Sequence, residues 1–326
     1  MPPASQQEPP RLIDLRIDWL SQYAPESNIF GPETIARANR GIPRVEGYLG
    51  ATSASFLMLG RDPENWAQRG DPWASLAELL ARCEAEFPGR LLIGRDDLDR
   101  WRDDPDGLTW GVLGVGGFDR LVRSTADLER LPGLFARGVR VFQIVGTAGN
   151  ELAGSWFEGD DRGLTDLGRA FLDAVASLGT DPRPIVDLAG LGPVALREVL
   201  DWLESRGSDR LLVMRSHGPI VVDDIVRLAA LGGIVGLGAS SRSFATAAEL
   251  KDAYEAIASR FGFLGIGLAT DALGDALGLG GLQTAGEIRE WTRSNFPAEV
   301  ARAILHDNVA GLIARSVGGL AAERTA

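Results

Sequence analysis

The sequence predicts an α/β fold, a closed (β/α)8 barrel of the TIM type with extra helices at its C-terminal end. Three observations carry this. Eight short apolar runs recur along the chain, and most are followed by a segment with helical periodicity. The runs are continuously apolar rather than alternating, as strands buried on both faces are. A chain of 326 residues suits a barrel used as one domain. Residues 1–10, rich in Pro and Gln, read as a loose arm, and 11–326 as the barrel.

In chain order, RLIDLRI (11–17) and SASFLML (53–59) are the first two predicted strands, and PWASLAELLARCEAEF (72–87) is a helix with apolar positions three and four apart. LTWGVLGV (108–115) is the third strand. ADLERLPGLFARG (126–138) is a helix carrying an internal proline and stopping at Gly138. VRVFQIV (139–145) is the fourth strand. The second half is more regular, with strands at 183–190, 210–216, 234–238 and 263–269 and helices at 163–179, 193–207, 221–233 and 246–262. Helices at 284–294 and 297–317 close the chain. An open doubly wound sheet is the alternative, but GVLGVGG (111–117) matches the dinucleotide-binding fingerprint poorly.

Bulk properties exclude several classes of partner. A formal charge of −12 repels phosphate backbones, so no nucleic acid is expected. No uninterrupted apolar run of about 18 residues exists, so no membrane span is expected. The N-terminus lacks a basic-then-apolar signal pattern. The one cysteine, Cys83, permits no intrachain disulfide and reads as part of a helix face. The expected location is cytoplasmic.

Barrel chemistry comes from the C-terminal ends of strands. Those ends supply Arg16, Asp18 and Trp19; Asn150 after strand four; Asp187; Arg215, Ser216 and His217; and Thr270 and Asp271. His217 is one of two histidines, and the other, His306, lies in the closing helix. A histidine with an ordinary pKa of about 6.5 suits general acid–base work.

The chain resembles the membrane (renal) dipeptidase family of metal-dependent barrel hydrolases, related to the amidohydrolases. The resemblance rests on an ordered set of segments: IDLRID (13–18), GIPRVEGYLGATSASF (41–56), GVRVFQIVGTAGNELAGSW (138–156), GLTDLGRAFLDAVASLG (163–179), FLGIGLATDA (263–272) and AEVARAILHDNVAGLI (298–313). It implies two zinc ions held by strand-one His and Asp, a bridging strand-three Glu, and His residues of strands five and six, with a catalytic Asp on strand eight. Here the first His position holds Arg16, and Asp18 keeps the Asp. Leu113 stands for the bridging Glu, and Ala189-Gly190 replaces Ser-His. His217 keeps the strand-six His. The strand-eight Asp falls on Ala269, or on Asp271 after a two-residue shift, and Gly146 takes the place of a strand-four His. Arg16 beside a dication at about 4 Å would be repelled by roughly 8 kcal/mol at an effective dielectric near 20. The resemblance therefore implies a member with most zinc ligands replaced and no metal or other cofactor.

Three readings follow. The first is a metal-independent enzyme acting on an amino-acid-derived or dipeptide-like small molecule. In it His217, Asp18, Arg16 and Asp271 are the catalytic candidates, and Trp19, Trp110, Asn150, Trp156 and Arg215 line the substrate. The second is a non-catalytic relative that binds a ligand or partner, its polar residues forming a satisfied plug. The third is a working metallodipeptidase. Dimers occur in the family, so a homodimer is open to this chain.

Overall fold

The structure is a computed structural model that describes residues 11–17, 52–59, 71–104, 107–118, 121–146, 148–206, 210–218, 221–238, 244, 246–270, 282 and 285–318. Eight parallel strands close into a barrel in sequence order: β1 (Leu12–Ile17), β2 (Thr52–Leu59), β3 (Trp110–Gly116), β4 (Val139–Gln143), β5 (Ile185–Asp187), β6 (Leu212–Arg215), β7 (Ile234–Gly238) and β8 (Ile266–Ala269). The ring is sealed where Asp14 of β1 pairs with Leu268 of β8. All eight coincide with the predicted apolar runs. The predicted N-terminal arm, and the 41–50 part of the stretch entering strand two, lie outside the described residues.

Every strand is buried on both faces, and the two-residue alternation sorts its side chains into two layers. Phe56, Met58, Val112, Val141, Ile185, Met214 and Ile234 belong to one apolar cluster inside the ring. Their neighbours in sequence, Leu57, Leu59, Leu113, Phe142, Val186, Val213 and Val235, pack instead with helix residues such as Leu80, Phe171, Val199 and Leu250.

The helices follow the strands. They are α1 (Pro72–Glu86), α2 (Arg95–Asp103), α3 (Leu131–Ala136), α4 (Asp166–Ala176), α5 (Pro193–Arg206), α6 (Val222–Ala230), α7 (Ala247–Phe261), α8 (Ala285–Asn295), α9 (Ala298–Arg302) and α10 (Asn308–Val317). Two segments expected as single helices are broken. The segment expected as one helix over 126–138 is a 3-10 turn, Thr125–Arg130, followed by α3. Pro132 has no N–H to donate, so it sits in the first turn of a new helix rather than inside an old one. The closing helix expected over 297–317 is interrupted by a π turn, Ala303–Asp307. Cys83 is buried in α1, among the core residues. No helix among the described residues is long and apolar enough to cross a membrane.

The last helix, α10, lies across the N-terminal end of the barrel. Asn308 donates its amide to the Phe263 and Ile266 carbonyls at 2.6 and 2.8 Å, at the entry to β8. Ser316 exchanges hydrogen bonds with Arg183, just ahead of β5. Val309, Leu312, Ile313 and Val317 join the interior cluster. Asn308→Ala should remove both carbonyl contacts and lower the unfolding free energy by about 1–2 kcal/mol, read from the denaturant midpoint. A change below a few tenths would show that water serves these carbonyls equally well.

Candidate functional site

At the opposite, C-terminal end, four polar side chains meet inside the ring. Arg16 comes from β1, Gln143 from β4, Asp187 from β5 and Ser216 from the end of β6. The path to this meeting begins with an irregularity in β1. Asp14 pairs with Ser55 but Ile17 pairs with Leu57, so β1 carries one extra residue there. Such a bulge re-aims a side chain. Asp14, fully buried, holds it: its carboxylate accepts the Arg16 N–H at 3.1 Å and the Thr270 N–H at 2.9 Å, and also takes the Thr270 hydroxyl.

Arg16 can cross the ring because β3 offers no side chain at this level. A Cβ on Gly114 would stand 2.6 Å from Met58 Sδ and 2.9 Å from Val141 Cβ, so Gly114 faces inward and is filled around. Gly116, two residues on, shares that face and pairs with Gln143.

The Arg16 guanidinium donates from Nη1 to Gln143 Oε1 at 3.0 Å and to Ser216 Oγ at 3.4 Å, and lies 3.9 Å from Asp187 Oδ2. The Gln143 amide is oriented by its own donors, which reach the Val145 and Ala189 carbonyls at 2.8 and 3.1 Å. Asp187 Oδ1 accepts the Ala189 and Ser216 N–H groups at 3.0 and 2.9 Å, and Oδ2 accepts the Ser216 hydroxyl at 2.6 Å. Arg16 and Asp187 are a buried pair, 3% and 0% exposed at their side chains. His217 follows, half-buried, with Nδ1 3.3 Å from Ser216 Oγ and its ring 6.0 Å from that of Phe157.

Of the sequence candidates, the structure thus brings Arg16 and His217 together, through Ser216. Asp18, Trp19 and Asp271 lie outside the described residues. The charge that meets Arg16 across the ring is Asp187, and Asp187 also reaches His217 by way of Ser216.

Trp156 sits on a 3-10 turn, Trp156–Glu158, tied by its N–H to the Gly190 carbonyl at 3.1 Å. Its ring stacks on Phe157 with centroids 4.0 Å apart, and Phe157 leans on His217.

Three expectations are corrected. Trp110 begins β3, at the far end of the barrel from this network, where Arg100 covers its ring; it does not line the mouth. Arg215 stands one residue off the inward positions Met214 and Ser216, so alternation turns its stem to the outer side; its guanidinium reaches up beside Gly218, and burial pulls its pKa down to about 10. Leu113 packs with the outer cluster and so cannot occupy a ligand position inside the ring. The inward residue at the mouth end of β3 is Gly116, and a slip of an odd number of residues along a strand exchanges the two faces.

Asn150 braces the loop that follows β4. Its amide oxygen accepts the Leu152 and Ala153 N–H groups at 2.8 and 3.1 Å, and its NH2 donates to the Ile144 carbonyl at 2.9 Å. Sequence reasoning missed Gln143 and Phe157. Gln143 had a signal, as the one amide in the buried run VRVFQIV, two residues beyond the inward Val141.

Among the described residues, no group of three or more His, Cys, Asp or Glu is placed to hold a metal ion. Position 190, where the strand-five histidine of the resemblance would fall, is closed. Gly190 has φ +86°, and a Cβ there would stand 2.5 Å from both the Val145 and the Gly146 carbonyl oxygens.

A closed ring of eight parallel strands with helices around it defines the class of TIM-type barrels, and solved structures share the fold. A metallo peptidase from Rhodobacter sphaeroides, liganded with a phosphinate mimic of the dipeptide L-Ala-D-Ala, superposes with TM-score 0.70 at 16% identity, covering 95% of this chain and 100% of its own. An amidohydrolase from Pseudomonas aeruginosa gives 0.66 at 17% identity, covering 94% and 97%. The metallo peptidase dipeptidase AC gives 0.71 at 16% identity, covering 95% and 100%. No curated protein matches the chain in sequence. The profile described as "Membrane dipeptidase (Peptidase family M19)" matches residues 78–313, and the chain belongs to that family.

Proposed function

We propose that this member of the membrane dipeptidase family has lost the dinuclear zinc site and acts without metal on an amino-acid-derived or dipeptide-like small molecule. The observation that carries the reading is Arg16. A permanent cation is fixed by Gln143, Ser216 and Asp187 where the resemblance calls for a zinc ligand. The donor set fits two zinc ions poorly. Arg16 repels a dication, β3 presents Gly116 inward, and the backbone around Gly190 leaves no room for an imidazole. No step of the chemistry is therefore routed through zinc. The ligand bound in the Rhodobacter sphaeroides relative favours a substrate of amino-acid type.

In this reading His217 moves the proton as general base or acid, and the Arg16 charge attracts an anionic group or developing negative charge at the mouth. Asp18 and Asp271 remain catalytic candidates beside them, Trp19 and Trp156 wall the ligand, and the chain works in the cytoplasm. Light scattering on a sizing column tests the homodimer that accompanies the proposal.

The test is metal content paired with turnover. Purified protein should hold far less than one zinc per chain, and turnover of dipeptide-like substrates should be indifferent to a chelator. His217→Ala should lower kcat/KM by about 10²–10⁴-fold with the fold intact. Near-stoichiometric zinc, or activity lost to chelator and restored by zinc, would return the chain to the working metallodipeptidases.

One observation favours a second reading, a non-catalytic binding protein. Asp187, Ser216 and Gln143 are each 0% exposed, and they satisfy one another as a plug would. Absence of turnover across a broad panel of amino-acid derivatives, with ligand-induced thermal stabilisation retained, would select it.

A further inference from the structure

We infer that Ser216 is the positioning residue that decides which nitrogen of His217 carries the proton, holding it on Nδ1 and leaving Nε2 as the unprotonated nitrogen. The role of that nitrogen as a base rests on the function proposed above; the assignment of the proton does not. The argument follows the direction of each hydrogen bond. A carboxylate only accepts. Asp187 Oδ1 is met by two backbone N–H groups, and Oδ2 takes the Ser216 hydroxyl at 2.6 Å. A serine hydroxyl has one proton, and this one is committed to Asp187. Toward its other neighbours Ser216 Oγ can therefore only accept. Arg16 Nη1, 3.4 Å away, is a donor by nature. His217 Nδ1, 3.3 Å away, makes the remaining contact and must donate as well.

The chain of bonds thus runs one way, from His217 Nδ1–H to Ser216 Oγ–H to the Asp187 carboxylate. Fold and sequence order set it up together. Asp187 pairs with Met214 across β5 and β6, so Ser216 emerges over the carboxylate. His217, the next residue, turns its near nitrogen back toward the hydroxyl. When Nε2 takes a proton from a bound molecule or water, the resulting imidazolium keeps its Nδ1–H bond, and no group in the chain has to reverse.

Two histidines make the proton directly observable. In full-length protein labelled with 15N-histidine, a long-range 1H–15N spectrum at a pH well above about 6.5, where histidine is ordinarily neutral, reports the tautomer of each ring. His306→Gln assigns the signals. The expected result is Nδ1–H for His217, a switch to Nε2–H in Ser216→Ala, and retention of Nδ1–H in Ser216→Thr. Nε2–H in the unaltered protein overturns the inference, whether or not the variants fold. So does an unchanged tautomer in Ser216→Ala. Equimolar zinc added to the same sample separates the two proposals. A perturbed Nε2 with Nδ1–H kept would sink the metal-free function and leave the Ser216 assignment standing, whereas an unperturbed spectrum supports both.

Discussion

Arg16→Met is expected to lower the unfolding free energy by about 3–5 kcal/mol, the range for removing one partner of a buried pair. The loss comes chiefly from what remains. Asp187 stays 0% exposed with its ion-pair partner at 3.9 Å gone and only the field of Arg215 left to it, and Gln143 Oε1 loses its donor at 3.0 Å. If that account holds, Asp187→Asn combined with Arg16→Met should be damaged by less than the sum of the two single changes, with a coupling of about 1 kcal/mol or more. Denaturant midpoints of the four proteins provide the measurement. Additive losses, or a single-variant loss below about 1 kcal/mol, would show that the two charges do not depend on each other.

Gly190→His is expected to destabilise the protein by at least about 2 kcal/mol and to gain no zinc. A side chain in left-handed backbone costs about 1–2 kcal/mol. At this position it also drives a Cβ to 2.5 Å from two carbonyl oxygens, so the backbone just after β4 must move. The same holds for the paired change Arg16→His with Gly190→His, which returns both histidines by residue type alone. A folded double variant binding stoichiometric zinc would show that the metal site was removed by identity and not by backbone shape. Thermal unfolding with elemental analysis of the two variants decides between these.

The barrel was legible because its strands announce themselves. Each is a short run buried on both faces, punctuated by glycine or by a helix with period near 3.6, and all eight fell where the runs lie. The helix α2 was not, because its nine residues, RDDLDRWRD, bury only Leu98 and Trp101. At the site, Arg16 and His217 could be found because a charge and a rare residue interrupt apolar runs. Which face of a strand a residue takes could not. Runs buried on both sides show no alternation in sequence, so Leu113 and Arg215 were read as facing inward when they face the outer layer. Phe157 comes from a loop held by the Gly190 carbonyl through Trp156, a contact that no local pattern encodes.

The placement of α10 bears on the order of assembly. The floor of the barrel is made from Asn308–Val317, whose apolar side chains meet strands formed from residues as early as Ile13 and Leu15. During synthesis, every strand leaves the ribosome before the segment that seals them beneath. Until that segment emerges, Ile13, Leu15 and the interior residues around them lack the apolar partners that α10 brings.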